Sequence, residues 1–154
     1  MAAARHPRLY REYGVPDTVD GRFELISLHA ILVLRALAGS TASNVEDFRQ
    51  NLVDEVFRDM DRSLREMGTG DLSVGKKVRK MAEVFFGRLK VYTTALDSTE
   101  DSLASALSRN VWPDGGTSGH SRQLARYVRE ADGRIRAQDP AGIVSGSINF
   151  GEPA

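Results

Sequence analysis

The chain has 154 residues, 41% of them hydrophobic and 27% charged, with 21 basic residues, 21 acidic residues and no cysteine. That length suits one domain with its own apolar core. The missing cysteines exclude disulfides, thiolate metal sites and cysteine nucleophiles, and the cancelled charge gives no global pull towards nucleic acid, so specific DNA binding is not expected.

The opening MAAARHPRLYREYG has no apolar stretch of the kind a secretory signal needs, and residues 1–19 read as an N-terminal arm. Asp20 is a candidate cap for a first helix to Leu37, stopped by Gly39-Ser40. Its second half, LHAILVLRAL, is apolar on nearly every face. Such a helix is either central to a core or presents a face to another apolar partner, and Leu28, His29, Ile31, Leu32 and Leu34 form the candidate client face. The apolar run Leu25–Ala38 holds Ser27, His29 and Arg35 and falls short of the roughly 20 residues that cross a bilayer.

A second helix, capped by Asn44, runs through Met67 with Val45, Phe48, Leu52, Val56, Met60, Leu64 and Met67 as one stripe. Acids and arginines three or four apart crowd its other face, the pattern of a solvated, ion-paired surface. The Glu-x-x-His pairs of a di-metal carboxylate site do not occur. Gly68 stands where a left-handed C-cap belongs. A third helix, capped by Asp71 or Ser73, extends to Leu96, and its stripe is Val74, Val78, Met81, Phe85, Leu89, Tyr92 and Leu96. Asp97 or Ser98 would cap a short fourth helix, DSLASALSRN, before the turn-rich WPDGGTSG, where Trp112 is a candidate lid on the core. Ser118 or Ser121 would cap a fifth helix to Ala137, with Leu124, Tyr127, Val128, Ala131 and Ile135 inward. One helical turn and an extended INF segment complete the tail. The expectation is an all-α, single-domain helical bundle of about five to six helices, with an arm (1–19), a helical domain (20–137) and a tail (138–154) packed on the bundle or trailing it.

The stretch GDLSVGKK carries most of the G-x-x-x-x-G-K-[ST] phosphate loop. A working loop follows a buried strand and ends in a hydroxyl for magnesium, whereas here a charged helix precedes it and Lys77 takes the hydroxyl position. The reading is a chain reversal into a helix. His6, His29 and His120 are scattered, with His29 expected as a hydrogen-bonded interior or interface residue. The serines beside His120 lack the strand–elbow–helix setting of a hydrolase nucleophile. No acid/base pair stands out, so neither an enzyme nor a cofactor is expected.

Charge is unevenly placed. Residues 71–96 hold 6 basic and 2 acidic residues, against net −2 on either side of them. Lys76, Lys77, Arg79 and Lys80 crowd the first turns of a helix whose N-terminal dipole already disfavours cations. They are the candidate docking site for something anionic, such as lipid head groups, ribosomal RNA or an acidic protein.

The segments GRFELISLHAILVLRALAG, LVDEVFRDMDRSLREMGTGDLSVGKK, Phe86-Gly87-Arg88 with Tyr92, and Leu103-Ala104-x-Ala106-Leu107-x-Arg109-Asn110 occur in an order that resembles the ubiquinol–cytochrome c chaperone family, in a bacterial member. The resemblance covers about residues 10 to 111. It implies a non-enzymatic assembly factor of the cytochrome bc complex with newly made cytochrome b as client. The ribosome, an anionic membrane surface and a small partner protein are its further implied contacts. Mitochondrial members often carry an aromatic where Ser108 stands, and a long targeting extension. The location this implies is the bacterial cytoplasm, peripheral to the inner membrane. The competing class is a small soluble helical protein with a ligand-binding or regulatory role.

Overall fold

The structure is a computed structural model that describes residues 1–154. It is all helical: a 3-10 turn, Ala3–Arg5, then α1 (Pro7–Arg11), α2 (Val19–Ala36), α3 (Val45–Glu66), α4 (Asp71–Leu96), α5 (Glu100–Val111), α6 (Ser118–Arg136) and α7 (Pro140–Val144). The five long helices follow the apolar periodicity of the sequence within a few residues. The N-terminal turn and α1 are additions to it. The arm packs rather than trails, burying Ala4, Leu9, Tyr13 and Val15 in the core.

α2 is the axis. It touches the N-terminal turn, α3, α4, α5 and α6 and buries 13 of its 18 residues, Gly21 and Phe23 through Leu34. A helix apolar on every side has no solvent face to keep, which is why the sequence places polar residues so sparsely here. Each fully buried Leu or Ile contributes about 1.5–3 kcal/mol relative to exposure. Gly21 is required by space. A Cβ there would lie 1.9 Å from the Pro16 carbonyl oxygen, because the loop before α2 folds directly over it.

The caps differ from expectation in a consistent way. Thr18, Thr99 and Thr117 open α2, α5 and α6 in place of Asp20, Asp97 or Ser98, and Ser118 or Ser121. Each threonine is in extended backbone, and its hydroxyl accepts from the amide three residues on, at 3.1, 3.1 and 3.3 Å. Asn44 does occupy the N-cap of α3, but with φ 64 and no side-chain bond. Gly70 precedes α4 with no side-chain cap, while Asp71 lies in the first turn and pairs with Arg65. Gly68 adopts φ 86 as expected. Its amide donates to the Arg65 carbonyl at 3.0 Å and that of Thr69 to the Leu64 carbonyl at 3.0 Å, the paired bonds of a Schellman stop.

Long-range ion pairs fix how the helices meet. Arg88 of α4 grips Glu24 of α2 with contacts of 2.7 and 3.0 Å, and the Tyr92 hydroxyl reaches the same carboxylate at 3.4 Å. Arg5 makes a two-oxygen contact to Asp59 of α3 at 2.8 and 3.1 Å. Arg35 reaches Asp132 of α6 at 3.1 Å and also pairs with Asp97. Arg129 of α6 donates to the carbonyl of Ser98 at 2.8 Å and to that of Ala95 at 3.4 Å, and so closes the C-terminal end of α4.

Candidate functional site

Two groups of residues were singled out by sequence, and the fold treats them oppositely. Leu28, His29, Ile31, Leu32 and Leu34 are all buried in α2. As a client face they are corrected: the other helices enclose them, and the apolar excess that suggested an outward partner is consumed by the protein's own core. His29 is 4% exposed. Its Nδ1 lies 2.7 Å from the Leu25 carbonyl oxygen, so this nitrogen carries the hydrogen, and Nε2 accepts from the Tyr127 hydroxyl at 2.9 Å. Burial pushes the imidazole pKa down to about 4, against the opposing Leu25 bond, and the ring is neutral at pH 7. Burial likewise raises Tyr127 to about 12.

The tail seals this spot. Phe150 meets the His29 ring edge-on, with centroids 5.0 Å apart. Gln138 and Asn149 exchange two bonds of 2.7 and 3.0 Å between side chain and backbone, holding the extended segment against the end of α6. Arg8 donates to the Pro153 carbonyl at 2.7 Å, and the Tyr13 hydroxyl donates to that of Ala154 at 2.9 Å. Trp112 is buried, as a lid should be, donating to the Gly14 carbonyl at 2.8 Å and stacking on His120.

Lys76, Lys77, Arg79 and Lys80 are exposed on α4. Gly70 ends the turn from α3, and Asp71 to Lys77 form the first two turns of the helix, so the phosphate-loop pattern is helical backbone. Lys80 pairs with Glu83 at 3.2 Å, Asp71 is taken by Arg65, and Lys76, Lys77 and Arg79 make no ion pair. The acidic face of α3, by contrast, is partly ion-paired, with Asp47, Asp54 and Glu66 left without a cation. Glu46, Glu55 and Asp61 pair with Arg49, Arg58 and Arg65, the ion-paired surface its spacing predicts.

Sequence reasoning missed the apolar residues that share α4 with these cations. Five large apolar side chains stand exposed in the molecule: Met1, Met67, Leu72, Phe86 and Val91. Four of them lie on α4 or in the turn before it. Leu72 is 99% exposed, Met67 67% and Phe86 54%. The periodicity carries the α3 stripe through Met67, but the helix stops at Glu66 and the reversal at Gly68 leaves the side chain exposed. Leu72 could have been found by its phase, since it falls opposite Val74, Val78 and Met81 on a helical wheel.

No helix is long and apolar enough to cross a membrane. The candidate site on α4 is a surface, cationic and apolar together, on a helix braced to the core at one end.

The fold is an all-α bundle in which Glu24, Asp59 and Asp132 are paired between elements, and the sequence places it in a family. The chain belongs to the ubiquinol-cytochrome C chaperone family, whose model matches residues 11–150. That span takes in α2 through α7 and the tail as far as Phe150. The crystal structure of the Cbp3 homolog from Brucella abortus has the same fold, with a TM-score of 0.87 and 38% sequence identity over 98% of this chain and 83% of that one. No curated protein matches the sequence.

Proposed function

We propose that the protein is a non-catalytic assembly chaperone of the cytochrome bc complex, which holds newly made cytochrome b at the membrane periphery until its partners arrive. The observation that carries this reading is the family match over residues 11–150. The disposition of ionisable groups supports a binding role. Glu24, Asp59, Asp132 and His29, the buried acidic and basic side chains, are each consumed by a structural partner, and the buried phenols of Tyr13, Tyr92 and Tyr127 are likewise bonded to the Ala154 carbonyl, Glu24 and His29. With α2 enclosed, client recognition falls to the outer surface. The cations Lys76, Lys77, Arg79 and Lys80 supply attraction to an anionic partner at the site of synthesis.

The test is crosslinking and affinity capture of the tagged protein from its native membranes. Enrichment of cytochrome b, above all its haem-poor form, is the expected result. Capture of soluble proteins with cytochrome b at background would overturn the reading.

A further inference from the structure

Leu72, Lys76, Arg79, Glu83, Phe86 and Lys90 follow one another at alternating steps of four and three along α4, which places them on a single stripe of the helix. All six are exposed. The stripe covers about 27 Å at 1.5 Å per residue. Its opposite side carries Val74, Phe85 and Tyr92 into the protein. The outward stripe thus has an aliphatic residue at one end, an aromatic one near the other, and cations between and beyond them. Lys80 flanks it. Its single acid, Glu83, is spent on Lys80.

We propose that this outer face of α4 lies flat on an anionic lipid bilayer, with Leu72 and Phe86 entering the headgroup layer and Lys76, Arg79 and Lys90 meeting lipid phosphates. The inference deepens the function proposed above, since it names the surface by which the chaperone reaches the membrane. Three observations select lipid over other anionic partners. A fully exposed leucine gains nothing from the phosphate backbone of RNA, but it gains burial among acyl chains. The apolar residues are spaced along the helix rather than gathered into a groove, so they suit a fluid plane better than a partner helix. The rest of the chain is net negative, with net −2 before residue 71 and net −2 after residue 96. Within that sum α6 is itself net +3, but no large apolar side chain is exposed beside its arginines, so α4 is the helix on which attraction to an anionic surface and insertion into it coincide. Snorkelling lysines beside inserted apolar anchors complete the pattern of an interfacial helix.

The chain has no cysteine, so a single Leu72→Cys protein carries an environment-sensitive fluorophore at one defined place. Asp114→Cys, in the loop between α5 and α6, is the control. The proteins are mixed with phosphatidylcholine vesicles, alone or with phosphatidylglycerol added, at low and high salt. The label at Leu72 should shift to the blue only on the anionic vesicles, and the label at Asp114 should not shift. Sedimentation of unlabelled protein reads affinity. Lys76→Glu with Arg79→Glu should lower vesicle partitioning about 100-fold or more. Leu72→Ser with Phe86→Ser should lower it about tenfold while keeping the salt dependence, with thermal melts checking that both variants are folded. Equal binding to neutral and anionic vesicles, a label at Leu72 that stays in water, or binding to a ribosomal RNA fragment but to no vesicle would each overturn the proposal. Loss of vesicle binding with cytochrome b capture intact would remove this surface and leave the chaperone reading standing. Vesicle binding without cytochrome b capture would do the reverse.

Discussion

The α3–α4 hairpin is held differently at its two ends. Near its base, Val56, Met60, Phe85 and Tyr92 join the contiguous core around α2, and Arg88 is tied to Glu24. Near its turn, between residues 61 and 80, only Leu64 and Val74 are buried, and neither belongs to that core. The base resists displacement because each contact there is shared with other helices. The turn region is free to present Met67, Leu72 and the cations because little else depends on its position. A chaperone would benefit from that asymmetry: the fold is secured away from the surface proposed above to meet a membrane, so that surface can carry apolar residues that a fold would otherwise enclose.

The same substitution in the α2 core that anchors the base, and at the turn, should break the comparison or sharpen it. Leu28→Ala, at a site with no exposure, should cost about 3–4 kcal/mol in a denaturant melt, the transfer loss plus an unfilled cavity. A pH effect of nearly that size belongs to the core alone. With its pKa near 4 in the fold against 6.5 in the open chain, His29 takes up its proton more readily when the protein is unfolded. Stability from this group is complete above about pH 6.5 and falls as the pH drops towards 4, by about 3 kcal/mol. Melts of the wild type and His29→Gln over that range check it, with the variant less stable at neutral pH and flatter below. Gly68→Ala sets an alanine at φ 86 and should cost about 1 kcal/mol by equilibrium unfolding. Leu72→Ala, at the exposed end, should change the same melt by less than about 0.5 kcal/mol. If Leu28 and Leu72 proved equally costly, the α2 core that anchors the base and the projecting turn would not differ as described.

The core was legible in the sequence because helical periodicity is a local property. LHAILVLRAL reads from its own ten residues as either a core helix or an apolar face for a partner, and the structure, by burying Leu28 to Leu34, makes it core. What lay beyond reach was contact between distant positions. Glu24 and Arg88 are 64 residues apart, and nothing in either neighbourhood announces the other. Pairing them explains why Phe86-Gly87-Arg88 with Tyr92 reads as a motif: Arg88 and Tyr92 hold two helices together. The N-terminal helix is five residues long, too short to show a period, and only the fold reveals that Leu9 and Tyr13 are core. Caps were missed by one or two residues because Thr, Ser and Asp cluster at those boundaries and extended backbone selects among them. The cation cluster was visible as composition. Its apolar companions were not, since whether Leu72 faces inward or outward depends on where the hairpin projects from the bundle.

The most direct test of this division is amide hydrogen exchange of the intact protein, free and with phosphatidylglycerol-containing vesicles. In the free protein, residues 71–80 should exchange well before the Phe23–Leu34 stretch of α2. On vesicles, protection should rise along residues 71–90 and leave α2 and α6 unchanged. Protection that rises in α2 and α6 while residues 71–90 stay as they were would contradict the account, because the protein would then be meeting the membrane with the end assigned here to holding the fold.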